Sequence, residues 1–183
     1  WFAGAAVCPH DEMFEEGHLR ALYAGMDCVK QGGATIIEAY AERAEFPEQF
    51  IKGLAEIGAF GPSLPVEYGG GGMDEIAYGV IMQELERGDS GIRSMASVQG
   101  SLVMYPIYKY ASEELKKKYL PKLGSGEMIG CFGLTEPDHG SNPNGMITRI
   151  VDDGDAYILN GAKMWITNSP LADLAVVWAK DEE

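Results

Sequence analysis

Basic residues are scarce in this chain, with 14 Lys and Arg against 28 Asp and Glu for a net charge of −14. The densest basic run is Lys116, Lys117 and Lys118, on what reads as a helix face. So little clustered positive charge cannot neutralise a phosphate backbone, which argues against nucleic acid as a partner. Cysteine is rarer still. Cys8, Cys28 and Cys131 are odd in number, far apart and free of Cys-x-x-Cys or His-rich spacing. That pattern argues against a disulfide framework or a zinc site and fits a reducing compartment. No apolar run approaches the roughly 20 residues that cross a bilayer, so no membrane span is expected. The opening Trp1 to Val7 is short, has no basic leader and does not start with Met, so it does not read as a signal peptide. The chain looks like a piece of something longer. Internal repeats and low-complexity linkers are missing too.

What is present is a chain of 183 residues, 46% hydrophobic, long enough to bury a real core. Its first two thirds read as helices. "ATIIEAYAERAEFP" carries helix formers from Glu38 to Glu45, and Pro47 can open the next helix, since proline is tolerated in a first turn. In "PEQFIKGLAEIG", Phe50, Leu54 and Ile57 fall at i, i+4 and i+7 with Ile51 alongside, and Gly58 is placed to end that helix. "PVEYGGGGMD" is a loop by composition, after which Asp74 caps a helix with Ile76, Ala77, Val80, Ile81 and Leu85 as its apolar stripe and Gly88 as its end. A further helix runs through "GIRSMASVQGSLVMYPIYKYA", weakened or kinked at Gly100 and Pro106. "SEELKKKYLPKL" begins at a Ser cap with acids in its first turn and bases in its last, matching the helix dipole.

After Gly126 the pattern changes. "MIGCFGL", "MITRIV", "AYILN", "KMWIT" and "LAVVWA" are short runs rich in Ile, Val, Tyr and Trp. Asp153-Gly154 and Asn160-Gly161 separate them as hairpin signals, because both central residues of a type I′ turn need positive φ. "LADLAVVWAKDEE" is a strand pattern that stops without the partner it needs. The expectation is an α+β chain: an all-α helical domain over residues 1–126, then an antiparallel β domain over 127–183.

One loop invites a ligand. "LTEPDHGSNPNG" leaves a strand and offers hydroxyls at Thr135 and Ser141, with peptide N–H groups freed by Gly140 and by turn conformations. Such a loop can surround a polar, anionic or heteroaromatic group, although taken alone it also reads as an ordinary β-domain loop. It lacks the strand-to-helix setting of a dinucleotide or P-loop fingerprint, so its chemistry alone leaves the ligand open.

Motif order narrows the choice. "P.EYGGGG", "KKKYLPKLGSGE", "LTEP…GS" and "YILNGAKMWITN" resemble, in order and spacing, the flavin-dependent acyl-CoA dehydrogenases, from about Phe46 to Lys180. "ELERGDSGIRS", "CFGLTEP" and "WITNSPLADLAVVWA" are most similar to the glutaryl-CoA dehydrogenase branch. The resemblance implies a helical domain and a β domain forming one wall of a flavin site. The other wall is a second helical bundle, C-terminal to the last residue and absent here.

Residue by residue, the resemblance implies that Phe132, Gly133, Leu134, Thr135, Glu136, Pro137, Asp138, His139, Gly140 and Ser141 line FAD. The Thr135 hydroxyl and nearby N–H groups would bond the pyrimidine edge, and Ser141 would also meet the acyl-CoA. Trp165, Ile166 and Thr167 would cover the isoalloxazine, with Thr167 near N5; by alternation alone, Trp165 reads as a core or hairpin aromatic. Arg93, with Ser94 beside it, would hold the distal carboxylate of glutaryl-CoA, since guanidinium offers a planar, permanently charged fork. Glu86, seven residues earlier, would orient Arg93 or tune that end of the pocket. From charge statistics alone Arg93 is a surface arginine with an exposed Glu partner.

The family's base that takes the α proton lies in the absent bundle, so none of Glu127, Glu136, Asp181, Glu182 or Glu183 inherits that role and this piece alone is expected to be inactive. His139 reads as an exposed loop histidine. Asn142 departs from the family's Asp, which removes a carboxylate acceptor. The implied parent oxidises glutaryl-CoA, whose product can lose CO2 to give crotonyl-CoA, and passes electrons to an electron-transferring flavoprotein. By resemblance it is a homo-oligomer, a tetramer, in a bacterial cytoplasm or mitochondrial matrix. The alternatives are the same fold acting on another acyl-CoA, or a non-catalytic binding module.

Overall fold

The computed structural model describes Arg43 and residues 45–181. Cys8, Cys28 and nearly all of the helix expected from Glu38 to Glu45 lie outside the described residues. Helix α1 (Gln49–Glu56) buries Leu54 and starts just after Pro47, whose carbonyl accepts from Phe50 N at 2.9 Å. It stops where expected. Gly58 takes φ +72°, and the chain closes two C-terminal bonds, Ala59 N to Leu54 O and Gly58 N to Ala55 O, both 2.9 Å. This pair satisfies carbonyls that the end of a helix leaves open.

The glycine-rich loop folds back on Gly61–Leu64 through Gly71 N to Gly61 O and Gly72 N to Leu64 O. A Cβ at Gly70 would sit 2.2 Å from the Leu64 carbonyl oxygen, so only glycine permits that approach. Helix α2 (Glu75–Gly88) is capped by Asp74, whose carboxylate accepts from Ala77 N at 2.8 Å. Ala77, Ile81 and Leu85 are buried, but Ile76 and Val80 face outward, so the packed stripe is narrower than the sequence suggests. Asp89 is extended (φ −162°), ends α2 and caps helix α3 (Ser90–Ser97) through Ile92 N at 2.8 Å.

The long helix expected next continues as a π-helical segment (Val98–Met104) and helix α4 (Tyr105–Tyr110). Gly100 lies in the π segment where the Phe60 backbone comes close; a Cβ there would fall 2.4 Å from the Phe60 oxygen, so only glycine fits. Pro106 is harmless in the first turn of α4. Helix α5 (Glu113–Gly124) starts at Ser112, which accepts from Leu115 N at 3.4 Å. Phe60, Met95, Val103, Met104, Leu120 and Leu123 form the fully enclosed centre of the core.

A small sheet part follows the helices, as expected, but its pairing differs from the antiparallel expectation. β1 (Gly130–Gly133) pairs in parallel with β4 (Leu174–Val177), from Gly130 opposite Leu174 to Gly133 opposite Val177. The partner that "LAVVWA" needs is therefore an upstream strand. β2 (Arg149–Asp152) pairs antiparallel with β3 (Tyr157–Asn160) and parallel with β5 (Lys180–Asp181). Apolar alternation marks strands without revealing the direction of a distant partner. The Asp153-Gly154 turn is present, with Gly154 at φ +85°, though a loop of residues 153–156 spans the hairpin instead of a two-residue turn. No hairpin forms at Asn160-Gly161. "KMWIT" leaves the sheet as an arch, because Met164 N is bonded to Thr135 O and Trp165 adopts a left-handed backbone. No helix among the described residues is long and apolar enough to cross a membrane.

Candidate functional site

The candidate loop starts where β1 ends. Phe132 packs edge-on to Trp178 with ring centres 6.1 Å apart, and the buried Gly133 accepts from Trp178 N at 3.0 Å. Leu134 O and Thr135 O accept from the Lys163 ammonium (3.1 Å) and Met164 N (2.9 Å), so the loop is bolted to the arch through its carbonyls. The Thr135 hydroxyl makes no hydrogen bond to a described residue. Glu136 and His139 exchange backbone bonds of 3.1 and 3.2 Å, which closes a tight turn with Pro137 and Asp138 exposed at its tip. His139 is half-buried against Gly145, where a Cβ would fall 2.2 Å from its Nδ1. It is thus a packed residue, contrary to the exposed histidine expected. Gly140, Ser141 and Asn142 are exposed beyond the turn.

Glu136 faces inward. Its side chain is almost fully buried and accepts from Ile147 N (2.7 Å), Thr148 N (2.9 Å) and Lys163 Nζ (2.9 Å). Burial pushes its pKa upward, but the Ile147 amide, the Lys163 ammonium and the Thr148 donors outweigh that and hold the carboxyl well below the usual carboxylate range. With both oxygens engaged, its carboxylate holds the loop in place and offers nothing outward. Lys163, itself largely buried, completes this lock. Its only sequence signal was a lysine in an otherwise apolar run, "GAKMWIT".

The arch presents Trp165 outward. Its backbone is left-handed (φ +59°), a costly conformation for an aromatic residue, and its side chain is 85% exposed. Ile166 is half-buried and Thr167 is exposed. Asn168, also left-handed (φ +69°) but only 8% exposed, donates its amide to Met95 O (3.3 Å) and Gly130 O (3.2 Å). Asn168 was not anticipated, although Asn is the side chain that best tolerates that backbone.

Arg93 and Glu86 meet, but not along one helix. Asp89 breaks the run between them, and the Arg93 Nε to Glu86 contact of 2.5 Å closes over the α2–α3 junction. Glu86 also accepts from Ser90 Oγ at 2.7 Å. Those hydrogen bonds, Arg93 first, lower its pKa, so it stays ionised and keeps Arg93 oriented. Ser94 is half-buried next to it on α3. A cleft of about 540 Å3 separates α3 from the arch and is lined by Phe46, Gly91, Met95, Thr167, Asn168 and Leu171. Thus the structure joins the loop from Phe132 to Glu136 with the arch from Trp165 to Thr167, and sets α3 across a cleft from Thr167. Arg93, Ser94 and Glu86 do not line that cleft, and Ser141 makes no bond to the arch.

Comparison with known proteins identifies both parts of the chain. Residues 26–127 match the acyl-CoA dehydrogenase N-terminal domain and residues 131–183 the acyl-CoA dehydrogenase middle domain. The chain is 43% identical over 137 residues to a glutaryl-CoA dehydrogenase of Desulfococcus multivorans, which covers 73% of this chain and 35% of that relative. It is 39% identical over 137 residues to the human mitochondrial short-chain specific acyl-CoA dehydrogenase, covering 75% and 33%. The crystal structure of a glutaryl-CoA dehydrogenase from Mycobacterium smegmatis in complex with FADH2 superposes with a TM-score of 0.86 at 45% identity, over 95% of this chain and 45% of that one. The chain spans less than half the length of these relatives. It belongs to the acyl-CoA dehydrogenase family.

Proposed function

We propose that the chain is part of an FAD-dependent enzyme that oxidises glutaryl-CoA at its Cα–Cβ bond. In this reading the product loses its distal carboxylate as CO2 to give crotonyl-CoA, and the electrons leave to an electron-transferring flavoprotein. The observation that carries it is the bond from Met164 N to Thr135 O, which sets a tryptophan that is 85% exposed beside a loop with an uncommitted hydroxyl. An apolar ring held out toward solvent by a strained backbone, next to polar donors, suits a flat heteroaromatic ligand.

FAD, when bound, supplies the acceptor for the hydride that leaves the substrate's β carbon. Around it, Thr135 and the neighbouring peptide N–H groups donate to ring carbonyls and nitrogens, where fixed donors favour developing negative charge. Trp165, Ile166 and Thr167 cover the ring, and the loop from Phe132 to Ser141 lines it, with the Glu136 carboxylate acting from behind. Ser141 also meets the acyl-CoA. Arg93, held through Nε by Glu86, keeps its terminal nitrogens for the substrate's distal carboxylate, with Ser94 beside it. Residues 1–126 form the helical domain and residues 127–183 the β domain in this reading. The proton-abstracting carboxylate comes from elsewhere in the parent, so this chain alone does not turn over. The parent is a homo-oligomer of a bacterial cytoplasm or a mitochondrial matrix.

The test uses the full-length polypeptide that carries this chain. Arg93→Met should leave FAD binding intact and cut turnover of glutaryl-CoA sharply relative to butyryl-CoA, since a lost buried charge pairing costs about 2–5 kcal/mol. Unchanged glutaryl-CoA turnover would sink the carboxylate assignment. One observation favours a second reading, an acyl-CoA without a distal carboxylate: Arg93 already has a partner in Glu86. In that case butyryl-CoA is the better substrate of the unmodified protein.

A further inference from the structure

We infer that Asn168 is a positioning residue that pre-forms the arch bearing Trp165 and Thr167 and sets its distance from α3. This rests on the flavin reading of the arch and extends it to a buried residue whose carboxamide is bonded to α3 and β1. Two ends need to be held if an exposed segment is to keep one shape. At the first end, Met164 N is bonded to Thr135 O and Lys163 reaches Leu134 O and Glu136. At the second end, Asn168 does the corresponding work with one amide group. Its Nδ2 donates both to Met95 O, in the last turn of α3, and to Gly130 O, the first residue of β1.

Three segments distant in sequence therefore meet at a single buried side chain. The helix that carries Arg93, the strand that feeds the Thr135 loop, and the arch itself cannot shift independently while both bonds persist. The backbone of Asn168 serves the same end. Its left-handed φ of +69° turns the chain into Ser169–Leu171, where Leu171 N bonds Asn168 O at 2.9 Å, so Thr167 is left at the mouth of the cleft. Trp165 in turn adopts an unfavourable backbone with no burial of its own to repay it. Anchors on either side are what keep such a conformation populated before a ligand arrives, and a pre-formed site binds more tightly than one that must be ordered.

Asn168→Gly separates side chain from backbone, because glycine accepts the left-handed φ yet has no donor. In the full-length polypeptide without FAD, hydrogen exchange of the amides from Trp165 to Ser169 should accelerate about tenfold or more, while those of β1 stay protected. FAD affinity, followed by quenching of flavin fluorescence, should weaken about tenfold, the scale of one lost oriented hydrogen bond. Because a merely structural defect would not alter the bound chromophore, the visible flavin band of the loaded variant should also shift from that of the unmodified protein. An arch that exchanges no faster overturns the proposal, as does an unshifted band with unaltered affinity. If the unmodified protein itself takes up no FAD, the flavin reading fails and this inference falls with it; if both proteins bind equally, only the role of Asn168 fails.

Discussion

Replacing Gln99 by leucine removes the side chain that ties the helices to the sheet. Gln99 is fully buried in the π segment, donates Nε2 to Leu123 O and Met128 O, both at 2.9 Å, and accepts from Gly130 N at 2.8 Å. It thus links the end of α5, the connection after it and the first residue of β1. Leucine has nearly the same volume, so the change opens little cavity. It strands the Met128 carbonyl and the Gly130 N–H, while Leu123 O keeps its bond from Gly126 N at 3.3 Å. Each unmet buried group costs about 1–3 kcal/mol. A carbonyl keeps a second lone pair and loses less, which places the sum for these two groups near about 2–4 kcal/mol, offset slightly by the apolar gain. At a urea slope of about 2 kcal/mol per molar, the unfolding midpoint should fall by about 1–2 M. Circular dichroism follows the helices, and Trp165 and Trp178 fluorescence follows the sheet side. A fall of less than about 0.5 M would show that these three bonds do not hold the two parts together.

Two other perturbations probe the frame of the site. The Glu136 carboxyl titrates lower in the fold than in the unfolded chain, so its contribution is complete above about pH 4.3 and fades as the pH drops toward the folded value. Glu136→Gln should therefore lower the melting temperature at pH 7 and flatten its decline between pH 5 and pH 3; parallel melting curves for the two proteins would count against the lock described around Lys163. Gly100→Ala should destabilise by about 1–3 kcal/mol in chemical denaturation, because the added methyl would meet the Phe60 carbonyl at 2.4 Å and push the π segment from the core; a neutral result would mean that contact relaxes freely.

Much of the helical part was legible because its signals are local. Asp74, Ser112 and Gly58 mark helix ends by chemistry that acts within a few residues, and each is found in its expected role. The strand segments could be read from Ile, Val and Tyr, and the turn from Asp153-Gly154, for the same reason. The parallel partners could not, since β1 and β4 are joined only through everything between them. The Glu86–Arg93 contact was anticipated from their spacing, yet the chain achieves it across a helix break at Asp89.

For the candidate site, motif order in the sequence was enough to indicate the family and to single out the segments from Phe132 to Ser141 and from Trp165 to Thr167 as candidates, though not that the second forms an arch. It could not tell which of those side chains turn outward. Only the fold decides that Glu136 points in to meet Lys163, that His139 packs on Gly145, and that Trp165 stands exposed on a left-handed backbone. Only the fold brings Asn168 and Gln99 to carbonyls and amides far away in sequence. The physical reason is the range of the forces. Propensity, capping and turn preference act between near neighbours and are written in adjacent residues, whereas the pairing of buried polar groups depends on which distant backbone atoms the packed core leaves in need of a partner.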